Sequence, residues 1–312
     1  MNNLREIKSR LRSIRKNRQI LSAMKMVSAV KLRRIQVVVQ ASRPYAQRLE
    51  ALVQNLLDMP EARALQHPLM SRRSVHRVLW VVISTDRGLC GSLNTNLFRF
   101  IQQALRERAG AKSTVALWLI GRKAGDFFKR ALAKSADFRI EQAYPLEEAQ
   151  AENIVRQVCD LYRKGQVDQV DLFYAQCKST LRQIPAKVPL LPLAPSACPP
   201  DSTKALSPGR SALAEHGRPG ATGTRQQRAG LFEPAPGTIA DDLLPRYLAS
   251  QVRQILFEEQ VSEHSARMIM MDQASKNASD MISQIQLDYN TLRQGMITRE
   301  LTDITTGVEA MA

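Results

Sequence analysis

From Asn3 to Arg43 the chain carries neither Gly nor Pro, and apolar residues fall at Leu4, Ile7, Leu11 and Ile14, then Ile20, Met24 and Val27, then Leu32, Ile35 and Val39. Steps of three and four predict one continuous helix with a narrow apolar seam. Pro44 is expected to kink or interrupt it, because proline lacks the backbone donor and crowds the preceding turn. At the other end, Arg246 to Thr306 holds no Pro and only Gly295, with a seam at Met271, Ala274, Ala278, Met281 and Ile285 that resumes at Tyr289, Leu292 and Met296. The two successive steps of four around Ile285 predict a stutter that locally unwinds a left-handed supercoil. Asp241 and Asp242 place negative charge where a helix N-terminus favours it.

At 1.5 Å per residue these helices reach about 65 Å and about 90 Å, against a diameter of about 50 Å for a compact chain of this size. They are therefore expected to protrude. The simplest burial for both seams is an antiparallel coiled coil formed by the two ends of the chain. The small residues Ser22, Ala23, Ser28 and Ala29 permit close approach. The alternative is a pair of long helices folded back over a central domain.

Between the helices the pattern becomes that of an α/β domain. Val78–Ile83, Val115–Ile120 and Val170–Tyr174 are short apolar runs rich in β-branched residues, the signature of strands buried on both faces. Helical stretches follow the first two: one ends near Arg108, and the other holds Phe127 and Phe128. Residues 147–164 read as a further helix and Ala186–Leu193 as a last strand. The alternation predicts right-handed βαβ units in a mostly parallel, Rossmann-like sheet. Residues 195–237 break the pattern with thirteen Gly or Pro in forty-three positions, the composition of a flexible insertion. The expected organisation is an N-terminal coiled-coil helix over 1–58, an α/β domain over 75–194, the insertion, and a C-terminal coiled-coil helix over 238–312.

Charge then changes the picture. The formal net charge is +16, large enough to bring nucleic acid, an anionic membrane or an acidic protein into question. Residues 1–36 carry eleven Lys and Arg with one acid, Glu6, whereas 241–312 carry six basic and eleven acidic side chains. A basic beginning and an acidic end suit mutual packing or an acidic protein partner. The basic helix has no aromatic platform for bases, so a coiled-coil nucleic-acid binder rests on charge alone. It remains an alternative. No apolar run approaches the ~18 residues of a membrane span. The cysteines Cys90, Cys159, Cys177 and Cys198 form no CxxC pair and lie near no His at ligand spacing, so they read as free thiols, with no metal site and no disulfide framework.

The loop Gly88-Leu89-Cys90-Gly91-Ser92, after a buried strand, invites a nucleotide reading, since amides at a helix N-terminus can cradle phosphate. It matches neither GxxxxGK[ST] nor GxGxxG, which favours a tight turn with special dihedrals. A nucleotide-binding α/β enzyme built around Thr85, Asp86 and Gly88 is the second alternative. Cys90 lacks a local His activator among His67, His76, His216 and His264, and reads as structural.

Four stretches carry a resemblance. Ser22-Ala23-Met24-Lys25-Met26-Val27-Ser28-Ala29 with Lys31-Leu32-Arg33-Arg34, Thr85-Asp86-Arg87-Gly88-Leu89-Cys90-Gly91, Ser262-Glu263-His264-Ser265-Ala266-Arg267-Met268, and Arg293-Gln294-Gly295-Met296-Ile297-Thr298-Arg299-Glu300-Leu301 occur in that order. Together they resemble the gamma subunit of F-type ATP synthases over nearly the whole chain. The resemblance implies the coiled coil, a central α/β domain and a rotor with no active site, cofactor or small-molecule substrate of its own. It implies alpha and beta subunits as a surrounding hexamer, with the epsilon subunit and the c-ring as further partners. The implied location is peripheral, on the cytoplasmic face of a bacterial inner membrane.

By the same resemblance, Met24 and Lys25 correspond to the segment that meets an acidic loop of beta, and the nearby Lys31, Arg33 and Arg34 have the charge to attract it. Arg267, Arg293, Gln294, Thr298 and Glu300 match positions of rotor-to-beta or helix-to-helix contact, and Glu233 matches the foot region near the c-ring. Gly295 stands where the family commonly has alanine, and the Pro/Gly-rich 195–230 departs from the pattern.

Overall fold

The computed structural model describes residues 2–58, 67–71, 73–108, 113–131, 138–140, 148–193, 236–309 and 311. Its elements are α1 (Asn2–Asp58), β1 (Arg77–Ile83), α2 (Leu93–Arg108), β2 (Thr114–Ile120), α3 (Arg122–Ala131), β3 (Phe138–Ile140), α4 (Glu148–Arg163), β4 (Gln169–Ser179), β5 (Arg182–Leu191) and α5 (Pro236–Glu309). They form two compact units: Met1–Lys31 with Arg267–Ala312, and Leu32–Ala266. Both long helices contribute to both units.

The second unit is a five-stranded sheet in the order β3-β2-β1-β4-β5. β1, β2, β3 and β4 pair in parallel, and β5 closes the edge antiparallel to β4. One face packs Val78, Trp80, Val82 and Phe173 against Leu97, Phe98 and Ile101 of α2 and Phe128 of α3. The other packs Leu79, Val81, Ile83 and Leu172 against α4 and against segments of α1 and α5. Both faces are covered, which is why these strands are continuous apolar runs. β5 begins earlier than the sequence pattern suggests, at Arg182, because the tight turn after Ser179 makes β4 and β5 a hairpin. Its Pro185 and Pro189 lie on the sheet edge, where a missing donor is tolerated and further strand pairing is discouraged.

Neither long helix obeys its prolines. α1 runs on through Pro44 to Asp58. Beyond the proline, Ala46, Leu49, Val53 and Leu56 are buried at steps of three and four, and this packing offsets the ~3 kcal/mol that an interior proline costs. α5 starts at Pro236 and passes through Pro245, so Asp241 is outside its first turn. Asp241 instead has its Oδ1 3.0 Å from Nε2 of the buried His67. The amide of Leu69 donates to Nδ1 of the same ring, which fixes Nε2 as the protonated nitrogen.

In the first unit the two helices run antiparallel. Lys25 pairs with Asp272 at 2.6 Å, Arg18 donates to Ser279 at 3.4 Å and Arg15 donates to Gln286 at 2.8 Å. The seam differs from the one the most apolar residues suggest. On α1 the less exposed positions are Leu4, Ile7, Leu11, Ile14, Leu21, Met24 and Ser28, whereas Ile20 and Val27 are 57% and 56% exposed. A strict four-three repeat carried forward from Leu11 and Ile14 reaches residues 18, 21, 25 and 28. Leu21 and Ser28 are the less exposed of these; Arg18 and Lys25 are exposed and bond across to Ser279 and Asp272, and Met24 takes the inward place beside Lys25. On α5 the partner row is Met271, Ser275, Ala278, Ile282, Ile285 and Tyr289, with Met281 exposed. Ile282 replaces Met281 in the row, so the steps around Ile285 alternate and the expected stutter does not occur there; Ala274 is as inward as Ser275.

Candidate functional site

In a doubly wound sheet the place to look for a ligand is the crevice beyond the C-terminal ends of the strands, where the strand order reverses. Here that point lies between β1 and β4, and the loop Thr85–Ser92 borders it. The amide donors at the start of α3, which faces this loop, are occupied. At the start of α3 the amide of Arg122 donates to Asp86 Oδ1 at 3.4 Å, that of Lys123 to the Thr85 carbonyl at 3.2 Å, and that of Ala124 to Ser84 Oγ at 3.0 Å. Asn94 binds back on the loop, accepting from the Thr85 amide and donating to Thr85 Oγ1 at 2.7 Å. Gly121 has φ +105°, and a Cβ there would stand 2.2 Å from the Ser84 carbonyl oxygen, so the two loops touch backbone to backbone.

The crevice itself is filled by the chain. β4 extends past the last β1 pairing, Val82 with Phe173, and its next exposed edge groups belong to Ala175. The Ala175 amide donates to Glu259 Oε2 at 2.6 Å, and the Ala175 carbonyl accepts from Ser262 Oγ at 2.6 Å. Two side chains three residues apart on α5 thus take the place of a neighbouring strand. Cys90, Leu93, Ala175 and Ala266 close over this contact as a small apolar cluster. Glu259 is fully buried, and burial pushes its carboxyl up to about 8, against the lowering effect of the Ala175 hydrogen bond and with a further raising contribution from Glu263. Its Oε1 has no hydrogen-bond partner among the described residues. Sequence reasoning missed this acid, although it lies on the stripe that continues Val252, Ile255 and Leu256 toward Ala266.

The cysteines of the described residues, Cys90, Cys159 and Cys177, are buried and form no disulfide among the described residues. Burial pushes the Cys159 thiol up to about 11, which keeps it protonated and unreactive. Cys198 and Glu233 lie outside the described residues.

The residues that the resemblance singles out divide between the units. In the first, Met24 is half-buried at the seam, and the Lys25 ammonium sits on Asp272. Hydrogen bonds from Lys25 and Lys276 hold the Asp272 carboxyl below its ordinary value. Lys31, Arg293, Gln294, Thr298 and Glu300 are exposed, and Arg267 is buried. Thr298 Oγ1 donates to the Gln294 carbonyl. In the second unit Arg33 and Arg34 are exposed on α1.

A second apolar set, outside the seam, is left bare on the helix pair. On the paired stretch Met26 and Val30 are exposed beside Ile20 and Val27. On the part of α5 that runs beyond the start of α1, by the pairing of Lys25 with Asp272 and of Arg15 with Gln286, Leu301, Ile304 and Val308 recur at steps of three and four, each about 60% exposed. A helix pair that satisfies itself through one stripe and leaves another uncovered belongs to a protein that works inside an assembly. Among the described residues the crevice at the end of the sheet is occupied by the chain's own helix α5.

A family model described as ATP synthase matches residues 3–311. The chain is 38% identical over 316 residues to the ATP synthase gamma chain of Heliobacterium modesticaldum, and 38% identical over 316 residues to that of Anaeromyxobacter dehalogenans, with 100% of both chains covered in each case. Among solved structures it resembles a chain of the Euglena gracilis mitochondrial ATP synthase rotor (TM-score 0.62, 21% identity, covering 95% of this chain and 99% of that one). It also resembles a chain of the OSCP/F1/c-ring assembly of the same enzyme (TM-score 0.66, 22% identity, covering 99% and 95%). This chain belongs to the ATP synthase gamma chain family.

Proposed function

We propose that this chain is the central rotor of an F-type ATP synthase, coupling rotation of a membrane c-ring to ATP synthesis or hydrolysis on beta subunits. The chain is a non-catalytic subunit, and the chemistry stays on beta. The observation that carries the reading is the exposed apolar set Ile20, Met26, Val27 and Val30 outside the seam of the helix pair, continued by Leu301, Ile304 and Val308 where α5 outruns α1. Such a surface turns against an enclosing sleeve of alpha and beta subunits without needing water-exposed apolar area. Coupling follows if different faces of an asymmetric shaft contact different states of three identical beta subunits, since only differential contact shifts a population.

Within this reading Met24, Lys25, Lys31, Arg267, Arg293, Gln294, Thr298 and Glu300 contribute contacts to the sleeve or between the helices, and Arg33 and Arg34 attract an acidic loop of beta. Glu233 meets the c-ring, and the epsilon subunit binds the α/β unit. The chain is peripheral, at the cytoplasmic face of a bacterial inner membrane; no helix of the described residues is long and apolar enough to cross a bilayer. The test is co-purification with alpha and beta subunits, followed by ATP hydrolysis by the complexes with and without this chain. A hexamer that never retains the chain would refute the proposal.

A further inference from the structure

The second unit holds a cavity of about 350 Å³ lined by Tyr45 of α1, by α4 and by α5. Four arginines reach it in two matched pairs: Arg156 and Arg163 on α4, and Arg246 and Arg253 on α5. A separation of seven residues returns to the same helix face about 10.5 Å further on. Two facing helices therefore each present a guanidinium pair at the same interval.

The cavity's own acids do not neutralise the set. Glu152 takes Arg253 at 3.2 Å, and the Nε of Arg253 is still buried without a hydrogen-bond partner. Arg156, Arg163 and Arg246 are exposed and have no ion pair among the described residues, including with the nearby Asp160. Arginines accumulated in this way repel one another unless an anion is placed among them, and their planar forks suit carboxylates bidentately.

We infer that this groove is a docking site for an acidic, amphipathic segment of another protein of the complex. The inference rests on the chain's place in an assembly and adds a surface that its family membership does not specify. Charge decides among occupants. A second copy of a chain with net charge +16 is repelled, and the chain's own segment 195–235 has five basic residues against three acids. The apolar part of the lining, Val155, Pro245 and Ala249 beside the exposed Tyr45 ring, requires apolar side chains next to the carboxylates. A helix with mixed acidic and apolar positions offers both, whereas a phosphodiester chain offers only the charge.

The test uses the assembled complex, with the photo-crosslinking residue p-benzoylphenylalanine in place of Tyr45. The expected result is a crosslink to one other subunit, at a peptide rich in Asp and Glu. In R156E/R246E complexes the yield falls at least about tenfold, as it does on raising salt from about 50 mM to about 500 mM, while R156Q/R246Q is intermediate. Unchanged thermal midpoints of both variants exclude misfolding as the cause, and the crosslink from the chain with its arginines intact stands independently of them. Intact complexes that give no intersubunit crosslink overturn the inference, as does a crosslink indifferent to charge reversal and salt. Saturable, arginine-dependent binding of inorganic phosphate or ATP in the groove also overturns it, in favour of a small-anion pocket. Failure of the chain to join alpha and beta subunits at all would count against the rotor reading instead.

Discussion

Replacing Glu259 by Gln tests the account of how α5 seats on the sheet. In the folded chain the carboxyl is buried with its value pushed up to about 8 from an ordinary 4.5, so the native state holds a proton that the unfolded chain releases. For a group raised in this way, its stabilising contribution is complete below about pH 4.5 and is lost as pH climbs through about 8. The full span corresponds to about 5 kcal/mol at 1.36 kcal/mol per tenfold change in proton affinity. Other ionisable groups near the site are Glu263 on the same helix, and Glu258, which hydrogen-bonds Tyr174 of β4. Glutamine is the same shape, accepts the Ala175 amide through its own oxygen and has no proton to lose. The urea midpoints of the two chains should coincide near pH 5, and E259Q should become progressively more stable, by on the order of several kcal/mol near pH 9. Parallel stability curves for the unsubstituted chain and E259Q across that range, differing by less than about 1 kcal/mol, would refute the burial argument.

Other substitutions probe the remaining inferences. Gly121→Ala should cost more than about 3 kcal/mol, read as a fall in thermal midpoint, because its Cβ would stand 2.2 Å from a backbone oxygen at a φ of +105°. Leu21→Ala should weaken the helix pair by about 1–2 kcal/mol while Ile20→Ala leaves it within about 0.5 kcal/mol, since only the first lies in the seam; equal losses in denaturation would restore the pattern read from hydrophobicity. Gly295→Ala meets open space and should raise helix stability by about 1 kcal/mol, seen as a higher thermal midpoint. Lys25→Ala removes an exposed ion pair and should change chain stability by under about 1 kcal/mol; a much larger loss of coupled ATP synthesis in the assembled enzyme would show that Lys25 acts outside its own helix pair.

Helix existence and strand identity were legible because each has its own period: steps of three and four in α1 and α5, and β-branched runs in β1 and β2. Register was less so. Choosing Ile20 and Met281 over Leu21 and Ile282 weighs side chains one at a time, whereas two helices in contact select whichever residues keep a common repeat. Local rules also failed at Pro44 and Pro245, where tertiary burial outweighs a lost backbone donor. Glu259 was hidden for a different reason. An acid on a helix looks solvated until β4 is known to outrun β1, and strand lengths were the least determined part of the sequence reading.

The contact at Ala175 has a mechanical side. Glu259 and Ser262 bind the amide and the carbonyl of one residue, so turning α5 about its axis by a single position would swing both side chains about 100° away and leave a buried edge bare. Apolar packing alone would let a helix roll over its support with little resistance. These two bonds act as a key in a keyway, and the Glu259–Ser262 stretch of α5 is indexed to the sheet in one angular setting.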